Sequence, residues 1–126
     1  MIDKQLKDFV IPTSTYIPSI GTRLYQDQLP DTVTYPCAVM FSVSRNEYHE
    51  AEVYSERFQF TAYANTKSSA YDIIDSIKSR LKRFYGRFST SSTYTIIGSQ
   101  VDNVGYLYDS SVLKHVEILD MLITYR

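Results

Sequence analysis

The chain has 126 residues, with 13 Lys and Arg against 14 Asp and Glu, a formal net charge of -1, and a single cysteine. That length favours one domain over residues 1–126, with a core able to bury about two thirds of the unfolded surface. Near-neutral charge excludes a global field toward nucleic acid or anionic membrane, and the lone Cys37 excludes an intrachain disulfide or a cysteine-rich zinc site. No segment approaches the roughly 20 apolar residues of a membrane span, and the opening "MIDKQLKDFVIP" carries charges where an export signal needs an apolar run. The expectation is a soluble, unexported protein with no membrane contact.

Ile2, Leu6, Phe9 and Val10 recur at helical spacing, with Asp3, Lys4, Lys7 and Asp8 opposite them, which predicts a short helix over 2–11. Pro12 and Pro18 end it, and residues 13–21 read as an irregular connector lying on the core through Tyr16, Ile17 and Ile20. Leu24 and Tyr25 form a short edge segment before "QDQLPD" turns the chain.

From Val33 to Val43 the alternation is regular. Val33, Tyr35, Cys37, Val39, Phe41 and Val43 share a face that reads as the core side, and Pro36 places the start of this strand at an edge or bulge. A second strand over Val53 to Ala64 sets Phe58, Phe60 and Ala62 against Arg57, Gln59, Thr61 and Tyr63, so the pair forms an antiparallel hairpin. Strands of 11 to 12 residues at ~3.4 Å each reach roughly 40 Å, far beyond the ~14 Å radius of gyration of such a domain. The hairpin tip, Arg45, Asn46, Glu47, Tyr48, His49, Glu50, Ala51 and Glu52, is therefore expected to project beyond the packed body.

The second helix is the clearer one: Ala70, Ile73, Ile74, Ile77, Leu81 and Phe84 follow the i, i+3, i+4, i+7 rule. Asn65, Thr66, Ser68 and Ser69 compete for the cap, Ser69 and Asp72 have capping-box spacing, and Gly86 is placed as the left-handed residue past the last turn. Asp72 and Asp75 come early and Lys78, Arg80, Lys82, Arg83 and Arg87 late, the order that the helix dipole favours. Extended runs over Tyr94–Tyr108 and Val112–Tyr125, joined by Asp109–Ser111, form a second long hairpin, with Gly98 and Gly105 marking bulges. The final strand is apolar on both faces, Val116, Ile118 and Leu122 alternating with Leu119, Met121 and Ile123, which places it centrally or under a covering neighbour. The fold class is α+β: an antiparallel sheet of about four long strands with two helices packed on it, in the order α-β-β-α-β-β.

Chemistry finds no support in the residues. Cys37 has His49 and His115 as conceivable partners, yet its alternating position marks it as a small buried thiol. "EYHEAE" gathers Glu47, His49, Glu50 and Glu52 without a second histidine or a shaped loop, so it reads as an acidic tip and not a metal site. No phosphate loop, dinucleotide fingerprint or nucleophile elbow occurs, and neither a catalytic residue nor a cofactor is expected. "KSRLKRFYGRF" interleaves bases with Phe84, Tyr85 and Phe88, the pattern of a small nucleic-acid-binding module, but Phe84 belongs to the core stripe. That module is the alternative function. Twelve tyrosines without one tryptophan suit surfaces that are half apolar and half wet, as subunit contacts are.

The segments "GTRLYQDQLPDTVTYPCAVMFSVS" and "ERFQFTAYANTKSSAYDIIDSIKSRL" resemble the tail terminator, or tail completion, proteins of long-tailed bacteriophages. The shared pattern is an N-terminal helix, an Arg-aromatic segment, a Leu-Pro turn and a Tyr-Pro pair before a long strand. A strand ending in an aromatic-Ala step, a polar connector and an Ile/Leu helix follow. The match covers about Ile2 to Gly86, and the final hairpin agrees only in order. A tyrosine-heavy C-terminal half is the departure, and it leaves tail end and adjacent neck both open. The resemblance implies a structural virion protein, made in the host bacterial cytoplasm, that forms a ring, typically hexameric, at the head-proximal end of the tail tube. Such a ring ends tail polymerisation and joins the tail to the head connector. Its partners would be copies of itself, the tail tube protein and the head-completion or connector protein, with DNA passing through the lumen without specific binding. The candidate subunit or partner interface combines the hairpin tip, Arg45, Glu47, Tyr48, His49 and Glu50, with the basic helix end, Lys82, Arg83 and Arg87.

Overall fold

The structure is a computed structural model that describes residues 2–10, 20–21, 23–48, 52–88 and 93–126. Its elements are α1 (Ile2–Val10), β1 (Leu24–Gln26), β2 (Cys37–Tyr48), β3 (Val53–Ala64), α2 (Lys67–Leu81), β4 (Ile96–Asp109) and β5 (Lys114–Tyr125). One five-stranded sheet runs in the order β1-β2-β3-β5-β4, antiparallel except where β1 joins β2 in parallel. The α+β class holds, but the sheet has five strands and not about four. Leu24 and Tyr25 extend into a true strand because the backbone of Arg23 and Asp27 bonds β2 at Ala38 and Met40, while Gln26 Nε2 donates to Asp3 Oδ2 of α1 at 2.7 Å.

The core lies between one sheet face and the two helices. Ala38 and Met40 of β2, Phe58, Phe60, Ala62 and Ala64 of β3, and Leu119, Met121 and Ile123 of β5 meet Ile73, Ile77 and Leu81 of α2 and Leu6 and Val10 of α1. Removing a side chain of this kind from water contributes about 1.5–3 kcal/mol, which fixes the face each element must turn inward. Thr66 caps α2 by accepting the Ser69 N–H at 3.1 Å. β5 is central, between β3 and β4, which accounts for its apolar character on both faces.

Several expectations are corrected. The first long strand begins at Cys37, not Val33, and its core-facing residues are Ala38 and Met40; Cys37 and Val39 lie on the reverse face beside Tyr35 and Tyr63. Pro36 has no N–H for a ladder, and its carbonyl accepts from Arg23 Nε at 2.9 Å, which holds 35–36 in a turn. α2 stops at Leu81, with Arg83 and not Gly86 as the first left-handed residue (φ 59°). The Arg83 N–H is captured by the Ser99 carbonyl of β4 at 2.9 Å, so the chain leaves the helix axis early and Gly86 instead bridges Ile96. In β4 the register shifts fall beside Gly98 and at Asp102, whereas Gly105 pairs in register with Ile118.

The β2–β3 hairpin is also less free than its length suggests. β5 pairs with β3 from Ala64 all the way to Tyr54, so only the last residues at the tip extend past the ladder. The predicted helix end at 11 and the connector over 13–19 lie outside the described residues.

Candidate assembly surface

Beyond Met40 the outer edge of β2 has no ladder partner among the described residues, because β1 pairs only with Ala38 to Met40. Residues Ser42 to Tyr48 are correspondingly exposed. Exposed strand edges offer unpaired N–H and C=O groups to another chain unless something blunts them. Here the blunting comes from charge: Arg45 Nη2 and Glu47 Oε1 pair at 3.1 Å on the strand surface. At the tip, Glu47, Tyr48, Glu52 and Tyr54 line a cavity of about 220 Å³. Glu52 and Tyr54 are absent from the predicted interface set; only the strand register shows that Tyr54 sits opposite Glu47. His49 and Glu50 of that set lie outside the described residues.

A buried polar network anchors the base of this edge. Glu56, 1% exposed, accepts from Ser42 Oγ at 2.6 Å and from the Tyr125 phenol at 2.7 Å. Burial, then the bond to Glu56, raises the Tyr125 phenol well above its ordinary range. Arg45 sits opposite Glu56 in the ladder and hydrogen-bonds the Tyr125 side chain. Arg45 is therefore partly a structural residue, a role that its place in a charged loop-like sequence does not reveal.

The basic predicted residues stand at the other edge of the sheet. Lys82, Arg83 and Arg87 are exposed, and among the described residues none of the three forms an ion pair. Phe84 and Phe88 are not available for base stacking: their rings lie 5.2 Å apart and pack on Phe9 of α1 at 4.6 and 4.9 Å. Tyr85 alone points outward, 78% exposed. Within one protomer, then, the structure does not bring the acidic tip and the basic segment together.

A third exposed group lies at the far end of the β4–β5 hairpin, where Val104, Tyr106, Leu107, Tyr108 and Leu113 are 41–68% exposed. Tyr106 bonds His115 Nδ1 at 2.7 Å, and Lys67 Nζ sits 4.4 Å from the Tyr106 ring centroid. Neighbouring Glu117 is 5% exposed, and burial raises its carboxyl pKa while Lys67 partly offsets the shift. Two Ser111 hydrogen bonds, from Oγ at 2.6 Å and from the backbone N–H at 3.0 Å, hold Asp109 below the usual carboxylate range. The turn is thus tied by its own side chains.

Cys37 is fully buried, and desolvation raises its thiol pKa to about 11 despite Arg23 nearby. Among the described residues no three His, Cys, Asp or Glu side chains gather as metal ligands, and no helix is long and apolar enough to cross a membrane.

No protein-family model and no curated protein sequence matches the chain. Among solved structures, it is similar to a chain from the virion of a native gene transfer agent (GTA) particle, with a TM-score of 0.58 and 9% sequence identity. The match covers 99% of this chain and 92% of that one, so what the two share is the fold over nearly their whole lengths.

Proposed function

We propose that this protein is a structural virion component of a phage-like particle. In this reading it forms a ring at the head-proximal end of the tail tube, ends tube polymerisation and joins tail to head connector. The observation that carries the reading is the full-length agreement in fold with a chain of a gene transfer agent virion. The sequence resemblance to tail terminators points the same way, and the open edge of β2 provides a surface on which copies can assemble. The reading assigns the protein no catalysis; its partners are its own copies, the tube protein and the connector.

The test is negative-stain imaging of the purified protein, alone and with tail tubes of the particle that encodes it. The expected result is rings seated on one end of each tube, and tubes of uncontrolled length when the protein is omitted. Tubes that never carry it, at either end, overturn the proposal. The nucleic-acid alternative is disfavoured by the packing of Phe84 and Phe88 on Phe9. A salt-dependent mobility shift with DNA or RNA at physiological ionic strength would restore it.

A further inference from the structure

One cross-strand row runs at a single level from the free edge of β2 across β3, β5 and β4. Glu47 pairs with Tyr54, Tyr54 with Tyr125, Tyr125 with Ile96, and Ile96 with Gly86. Four strand spacings of ~4.8 Å put its two ends roughly 19 Å apart. At one end are Glu47, Tyr48 and Glu52, and at the other Tyr85 and Arg87, with Arg83 and Lys82 just before them. Arg45 already pairs with Glu47, so Glu52 leaves the first end net acidic against the three bases of the other, and each end presents a well-exposed tyrosine, Tyr48 at 56% and Tyr85 at 78%.

We propose that copies of this chain dock edge to edge, the Lys82–Arg87 segment of one copy facing the free β2 edge and tip of the next. In that contact Arg87 and its basic neighbours meet Glu47 and Glu52. The inference rests on the ring reading above and names the surfaces that make the ring. A guanidinium suits the tip cavity because it pairs with carboxylates in a planar fork and also stacks on aromatic faces, and two of each line it. Because both patches lie in the same row, the contact needs no slip of one copy along the strands of the next. A head-to-tail contact closes into a ring where the rotation between neighbours divides a full turn and grows into a filament where it does not.

The experiment compares the wild type with Glu52→Lys and Arg87→Glu by sedimentation velocity, alone and as an equimolar mixture. Both positions are exposed, and thermal melts monitor that each variant stays folded. The wild type should self-associate, less at high salt. Each single reversal should weaken association about tenfold or more, as opposed charges become like charges. The mixture should recover it, because Arg87 then meets Glu52 on one side and the two new residues meet on the other. Single variants that assemble like the wild type, a mixture that shows no recovery, or a wild type that never self-associates overturn the edge contact. Should both variants still form rings that cap tail tubes, the edge contact falls and the tail reading stands. If instead the charge-dependent rings form but never bind tubes, the tail reading falls alone.

Discussion

The phenol of Tyr125 donates a 2.7 Å hydrogen bond to Oε1 of Glu56, joining residues 69 positions apart across the β3–β5 ladder. Ser42 Oγ donates to the second carboxylate oxygen, Oε2, at 2.6 Å, so a side chain 1% exposed is satisfied at both oxygens. Removing one donor leaves a buried acceptor unpaired, which costs about 1–3 kcal/mol. Tyr125→Phe should therefore lower the stability measured by urea unfolding by about that amount. A variant within about 0.5 kcal/mol of the wild type would show that water reaches Glu56.

Arg45 and Tyr48 should separate cleanly. Arg45 bonds Tyr125 and pairs with Glu47, whereas the Tyr48 ring is 56% exposed. Tyr48→Ala is expected to stay within about 0.5 kcal/mol of wild-type stability while weakening ring formation. Arg45→Ala should lose stability as well, because it disturbs the network around Glu56. Equal thermal melts for the two variants would contradict this division.

The aromatic trio of Phe9, Phe84 and Phe88 holds α1 against the end of α2, with centroids 4.6 to 5.2 Å apart. Phe9→Ala should cost about 2–3 kcal/mol, below the roughly 3–5 kcal/mol of a fully buried phenylalanine because the rings are only half-buried. Hydrogen exchange should show the loss first in α1, and unchanged protection there would argue that Ile2, Leu6 and Val10 hold the helix unaided.

Glu117 is a carboxyl whose pKa burial raises, so folding favours its protonated form. The stability this contributes is complete below the unfolded carboxylate pKa and is lost as pH rises through the folded value. Glu117→Gln should consequently be neutral or stabilising by up to about 1 kcal/mol at pH 7, with the advantage vanishing in acid. A variant less stable at pH 7 than the wild type would mean that the charge pair with Lys67 outweighs desolvation.

The Cys37 thiol, raised to about 11 by burial, should resist alkylation in the native protein at pH 8 and react fully in denaturant. The same sign applies above neutrality: stability from the buried thiol is intact below its unfolded pKa and lost as pH climbs through about 11, so alkaline unfolding should begin in that window. Fast labelling of folded protein would place Cys37 at a surface.

Much of the architecture was legible from local patterns, because period and burial are coupled along a single element. The Ala70, Ile73, Ile74, Ile77 and Leu81 stripe is the buried face of α2, and Val53 to Ala64 is β3 with the faces as expected. The face of β2 was misjudged because Cys37, Ala38, Val39 and Met40 are all buried and alternation there cannot say which side meets the helices. That choice is made by pairing, Met40 against Phe60 and Ala38 against Ala62.

Residue types and their spacing thus determine an α+β chain with two amphipathic helices, two long hairpins, an acidic tip and a basic helix end. Contacts between distant residues decide the rest. Only the ladder through β5 shows that the tip is largely supported, that Tyr125 completes a network with Glu56 and Arg45, and that Glu47 and Gly86 close the two ends of one row. The physical reason is register: hydrophobic period specifies which way a side chain faces, but which strands lie side by side, and at what offset, depends on the packing of the whole sheet.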